Sequence, residues 1–218
     1  MEVCHVAFSY CRRPDPGPWP VCGSLGSFGG SGAASGPVVS LHPVKVTGHR
    51  VDVPRSLRVS EENTYYPMGD IVWRGDPHGD RYAQVNAIFT ESLRRVGSGP
   101  AGAMAGATPV VVEIEVRRFH SLTEKTRYTV GGVHSIRFDM TLRDPRTGAV
   151  LAPARTIRAD LKGYGGARAL EADRQGLGQK VRITQHLTNV IRAELVNPGS
   201  TGRGVTQLVV GLETAGGT

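Results

Sequence analysis

Two short stretches of this chain concentrate the side-chain types that recognition uses. The first is Asp70-Ile71-Val72-Trp73-Arg74-Gly75-Asp76-Pro77. The second runs from Phe119 to Val133 and carries His120, Glu124, Lys125, Arg127 and Tyr128. Aromatic rings supply contact area, and guanidinium and carboxylate groups supply directed hydrogen bonds, the mixture that dense binding surfaces favour. Trp73, Arg74, Asp76, His120, Glu124, Lys125, Arg127 and Tyr128 are therefore the candidate partner-binding residues. The competing role for Trp73 and Tyr128 is to close the ends of the core. Arg74-Gly75-Asp76 spells the integrin-binding tripeptide, a match too short to carry a function.

Catalytic chemistry finds less to work with. The sequence holds no G-x-S-x-G elbow, no P-loop and no H-E-x-x-H. Asp70, Asp76, His78 and Asp80 cluster as a turn rich in Asp and Gly would. The seven histidines, His5, His42, His49, His78, His120, His134 and His186, show no metal-ligand spacing. A hairpin could bring His120 and His134 together, although histidines on neighbouring strands more often pack than ligate. Gly97, Gly99 and Gly102 form a G-x-G-x-x-G, but after a helix and before a strand, the reverse of a dinucleotide site. The sequence predicts no enzyme, no metal site and no cofactor, with a hydrolase as the weaker alternative.

The elements that would position these residues are legible from periodicity. Val110, Val112, Ile114 and Val116 alternate with Val111, Glu113, Glu115 and Arg117. Ile136, Phe138, Met140 and Leu142 alternate with Arg137, Asp139, Thr141 and Arg143. Period two with one apolar face predicts two half-buried strands, Val110–Leu122 and Val133–Arg143, whose charged faces complement one another when paired antiparallel. Asp144-Pro145-Arg146-Thr147-Gly148 predicts the next turn, and a shorter strand follows near Arg155–Leu161. The Thr123–Gly132 connection ends in two glycines and is the place best suited to something other than folding.

Before the meander, Val44, Val46, Val51 and Val53 predict an extended stretch bent at Gly48, and Asp70–Pro77 a short strand running into a turn. Asp80 can cap a helix from Arg81 to about Val96, whose stripe Tyr82, Val85, Phe89, Ser92 and Val96 is widened by Ile88 and Leu93. After it, Gly176 and Gly178 weaken a marginal helix over 167–175. A firm one over Gln179–Val196 presents Val181, Thr184, Leu187, Ile191 and Leu195, with Val190 beside them, and stops at Asn197-Pro198-Gly199.

The net charge of +7 and a pI near 9.7 come from scattered residues, chiefly arginines, with no basic run. Few aromatics accompany them, so nucleic acid is an unfavoured partner. Cys4, Cys11 and Cys22 all precede the globular part, which leaves it no disulfide. Val21-Cys22-Gly23-Ser24 followed by a Gly/Ser/Ala linker makes Cys22 a lipidation candidate, with Val21 and Trp19 standing where a lipoprotein signal has a small and an aliphatic residue.

Taken together, several segments resemble a bacterial family of small envelope lipoproteins of unknown function. They are Val53-Pro54-Arg55-Ser56-Leu57 with Ser60-Glu61, Tyr65-Tyr66-Pro67, Asp70–Asp76, Arg118–Tyr128, Gly131-Gly132-Val133-His134 and Gln179–Thr184. The order strands, helix, long meander, helix is also distantly similar to the auxiliary lipoproteins of ABC-type lipid transporters. The resemblance implies a non-catalytic module in the periplasm or cell envelope that binds a protein or lipid partner, tethered to the membrane through Cys22. A cytosolic basic module binding nucleic acid or protein is the alternative.

The expected architecture is α+β: a mainly antiparallel β-sheet with two helices packed on one face. The domain spans 38–197, a disordered N-terminal segment and linker covers 1–37, and a disordered tail covers 198–218.

Overall fold

The computed structural model describes residues 43–98 and 107–200, so the expectations for 1–37, for Cys22 and for the chain beyond Ser200 lie outside the described residues. Six strands form one mixed sheet: β1 (Val44–Asp52), β2 (Ile71–Val72), β3 (Thr108–His120), β4 (Gly132–Arg143), β5 (Val150–Arg158) and β6 (Leu161–Gly163). The order is β1-β3-β4-β5, with β2 beside the end of β3 and β6 beside the start of β4. Every pairing of β4 is antiparallel, but β1 and β2 run parallel to β3. A parallel partner needs a crossover. Here α1 (Arg81–Gly97) supplies it, and periodicity cannot reveal such a direction.

The alternation in β3 holds as far as Val116, then changes parity. Val110, Val112, Ile114 and Val116 are buried, and so is Phe119. A register shift between Val116 and Arg118 against β4 accounts for the change, because one extra residue turns the following side chains to the other face. Glu115 consequently lies opposite Asp139, and Arg117 relieves that like-charge pair by bonding both, at 2.8 and 2.7 Å. Arg143 reaches Glu113 at 2.6 Å. In the β4–β5 hairpin the Asp144 carboxylate accepts from the amides of Arg146 and Thr147, and Gly148 takes the positive φ of 72° that the turn requires.

Two long helices, α1 and α4 (Gln179–Val196), pack against each other on the apolar face of the sheet. Ser92 of α1 donates to the Thr184 carbonyl, and Thr188 of α4 donates back to the Ser92 carbonyl, so small hydroxyl residues tie the helices at close approach. Phe89 sits edge-on to both Phe119 and Phe138, and Trp73 edge-on to Phe119. Each such pair adds about 0.5–1.5 kcal/mol to its area burial. The buried face of α4 keeps Thr184, Leu187, Val190, Ile191 and Leu195 of the expected stripe, but Val181 is exposed and Ile183 is buried instead. Two shorter helices complete the chain, α2 (Glu124–Arg127) and α3 (Gly166–Arg174), the latter fully formed where a marginal helix was expected.

The molecule has two unlike ends. Val44 pairs with Thr108 at the start of β3, and a Cβ on Gly97, at the close of α1, would stand 4.0 Å from the Val46 carbonyl. At the other end β3 finishes beside β2. There Asp80 caps α1, accepting from the amides of Tyr82 and Ala83, and Gln179 at the start of α4 donates to Ser121. The loops of interest all gather at that second end.

Candidate functional site

The helix α2 is one turn long and owes its existence to its cap. Thr123 accepts from the Thr126 amide while its own hydroxyl donates to the Thr64 carbonyl at 2.8 Å. The Lys125 amide donates to the Asn63 side chain at 2.9 Å, and His120 Nε2 to the Pro67 carbonyl at 3.1 Å. The 123–132 connection is thereby strapped to the 60–68 loop. It is also packed into the fold: Gly131 has φ 74°, and a Cβ there would stand 2.8 Å from the Gly165 amide nitrogen. Two glycine backbones meet where no side chain fits, so this connection carries part of the folding that the sequence reading denied it.

Six charged groups from five segments then form a network. Arg81, only 4% exposed, grips the Glu61 carboxylate with two nitrogens at 2.6 and 2.9 Å and donates to the carbonyls of Asp76 and Pro77 and to Gln84. Arg74 donates to the Glu61 carbonyl at 2.7 Å and bonds the Glu124 carboxylate. Asp76 accepts from the Trp73 indole at 2.8 Å and from Lys180 at 2.7 Å. The hydrogen bond from Arg81 holds the Glu61 carboxyl below its ordinary pKa, and that bond in turn raises Arg81. Burial pushes Asp76 up, but the bonds from Lys180 and Trp73 outweigh it and leave it lowered.

The sequence-predicted residues thus divide. Trp73, Arg74, Asp76 and Glu124 come together, and Trp73 is fully buried under Phe119, in the core-closing role the sequence also allowed. A Cβ on Gly75 would lie 2.3 Å from the Trp73 ring, so Arg74-Gly75-Asp76 is folded over the indole with both charges paired internally. Lys125 lies over the Tyr65 ring, Tyr128 is partly exposed beside Arg127, and Arg127 turns away toward Asp173 on α3. His120 and His134 fall on opposite faces, because His120 pairs with Ser135 and His134 is the next residue along. Sequence reasoning missed Glu61, Arg81 and Lys180. Arg81 directly follows the recognised cap Asp80, but nothing in a helical stripe marks an arginine as buried.

Beside the network lies an open groove of about 210 Å³, lined by Tyr65, Tyr66, His120, Leu122, Val130 and Val133 among others. Its rim is apolar and exposed: Tyr66 is 90% exposed, Val130 74% and Val133 55%, and Met68, next to Pro67 of the lining, is 74% exposed. Among the described residues no group of three or more His, Cys, Asp or Glu could hold a metal ion, and no helix is long and apolar enough to cross a membrane.

Three solved structures resemble the fold at low identity. Protein XCC0632 of Xanthomonas campestris is 15% identical with a TM-score of 0.37, covering 70% of this chain and 84% of that one. A putative lipoprotein of Caulobacter crescentus CB15 is 12% identical at 0.29, covering 67% and 87%. The PelC dodecamer of Paraburkholderia phytofirmans is 19% identical at 0.32, covering 71% and 92%. Similarity of this degree assigns nothing to individual residues. No curated protein matches the sequence. Residues 44–210 match the family of unknown function DUF6778, and the chain belongs to that family.

Proposed function

We propose that this protein is a non-catalytic accessory module of the cell envelope that docks a protein partner on the groove between the 65–68 and 128–133 loops. The observation that carries the reading is the crowding of Tyr65, Tyr66, Met68, Tyr128, Val130 and Val133, all at least 40% exposed, onto two adjoining loops. Monomeric surfaces rarely gather large apolar side chains this way outside an interaction site. The network of Arg74, Arg81, Glu61 and Glu124 holds those loops in place beforehand, which lowers the ordering cost of binding. The envelope address rests on the segment resemblance and on Cys22 with its linker. A role beside an ABC-type lipid transporter is the finer form of the same proposal.

Intact-mass analysis of the native protein from fractionated cells tests the address: an acylated Cys22 in the membrane fraction is expected. An unmodified chain in the cytosol would favour the basic-module alternative, whose nucleic-acid form demands binding that falls steeply with salt. Photocrosslinking from position 66 or 130 tests the groove. Both should capture the same protein, position 146 on the far hairpin should capture none, and capture from 146 alone would refute the docking surface.

A further inference from the structure

The solvent face of the sheet changes character along its length. Toward the β4–β5 turn its charges are matched, with Arg143 bonded to Glu113 and Arg117 to both Glu115 and Asp139. Past the register shift in β3 the matching stops. Arg118 stands directly opposite Arg137 on β4, and Arg137 directly opposite Arg158 on β5, so three arginines form one row across three strands. The row faces away from the core, because Arg137 lies between buried Ile136 and Phe138, and Arg158 between buried Ile157 and Ala159. Arg118 is half-buried and the other two are exposed.

None of the three guanidiniums has an ion-pair or hydrogen-bond partner among the described residues. Two flanking carboxylates are engaged elsewhere. Asp160, two residues beyond Arg158, accepts from the Ile136 amide at 3.1 Å, and Asp70, whose carbonyl takes the Phe119 amide, accepts through its carboxylate from the Arg58 amide at 3.0 Å. Like charges directly opposite on adjacent strands destabilise a sheet, so folding gives no reason for the row.

Its position supplies one. Two residues on, the same face carries His120 opposite Ser135, and His120 lines the apolar groove together with Val133. At about 3.4 Å per residue the groove begins about 7 Å from the arginines. Adjacent strands lie about 4.8 Å apart, which makes the row about 10 Å long, a line and not a plane. An anionic membrane would meet the whole plane, including Glu113, Glu115 and Asp139, which line one basin on this face. An extended polypeptide repeats its same-side groups about every 7 Å, so two alternate carboxylates fit within the row.

We propose that the partner seated in the groove carries an acidic, extended segment that crosses this row, its carboxylates paired with Arg118, Arg137 and Arg158 while adjoining apolar side chains fill the groove. The inference rests on the groove reading and adds the partner's charge. Guanidinium forks match carboxylates in pairs, and charges at the rim of an interface set its rate and salt dependence.

Photocrosslinking from position 130 of the full chain, repeated in Arg137→Glu, Arg158→Glu and the far-hairpin control Arg146→Glu, tests it. At low salt the yield should fall about fivefold in the first two and stay unchanged in the third, and mass spectrometry should place the crosslink beside a run of Asp and Glu in the partner. Urea unfolding is the second readout. Arg137→Glu sets a carboxylate between two arginines, so its midpoint should rise while capture falls. Lost capture with a lowered midpoint would make Arg137 structural and overturn the inference. Equal capture in Arg137→Glu and Arg146→Glu, or a crosslinked segment without acidic residues, overturns it and leaves the groove standing. No capture by the wild type removes the groove and the inference with it. Binding of the purified full chain to phosphatidylcholine vesicles containing phosphatidylglycerol, lost in Arg137→Glu, would overturn it in favour of a membrane.

Discussion

Two arginine clusters lie at the same end of this molecule, and they are built on opposite principles. Around Trp73, the cations Arg74, Arg81 and Lys180 meet the carboxylates Glu61, Glu124 and Asp76, one for one. Around Tyr164, Arg127, Arg168 and Arg182 meet only Asp173 among the described residues. Charges matched in this way across separate segments describe a clamp. The unmatched charges of the second cluster, held by stacking and a carbonyl, do not form one. Density of charge along the sequence does not separate the two; the pairing does.

The contrast is sharpest at Arg81, where the largest effect is expected. Arg81→Ala removes five hydrogen bonds from a side chain that is 4% exposed and leaves Glu61 without its main partner. Urea unfolding should show a loss of about 3 kcal/mol. A loss under about 1 kcal/mol would mean that the clamp does not hold the fold.

A smaller effect depends on pH and belongs to the second cluster. Burial, with the charges of Arg182 and Arg127, pushes His134 down to about 3 in the folded protein, from 6.5. The unfolded chain therefore binds the proton more tightly. The stability contributed by the neutral ring is complete above pH 6.5 and is lost as pH falls toward 3, at up to about 1.4 kcal/mol per pH unit. Between pH 6.5 and 5, above the range of the lowered carboxylates, His134→Gln should flatten that slope. His186, also lowered chiefly by burial, retains a share of it. An unchanged slope would remove His134 from the account.

The smallest effect sharpens the comparison most. Arg182→Gln should change stability by less than about 1 kcal/mol, because lost stacking is offset by relief of desolvation and of repulsion from Arg168 and Arg127. A loss as large as that of Arg81→Ala would make the second cluster a clamp as well.

Much of the fold was legible from periodicity and caps. The alternation in β3 and β4, the Asp80 cap, the Asp144–Gly148 turn and the span of α4 all follow from rules that act within a few residues. Three features escaped because they depend on distant partners. The parallel direction of β1 is set by the α1 crossover, and the bulge at Arg117 by pairing with β4. The displacement of Val181 from the core reflects how α4 settles against α1 and the sheet. The candidate residues were half legible for the same reason: Trp73, Arg74, Asp76 and Glu124 belong to recognisable loops, whereas Glu61, Arg81, Lys180, Tyr164, Arg168 and Arg182 acquire meaning only from what stands beside them.

The placement of Val44 at the end remote from the gathered loops also has a mechanical consequence. A pull applied between Val44 and those loops runs along the axis of β1, so its hydrogen bonds to β3 are loaded together, in shear, instead of opening one by one. The nine residues of β1 and the 13 of β3 then act as a lap joint, the arrangement by which a small domain transmits tension without first peeling apart.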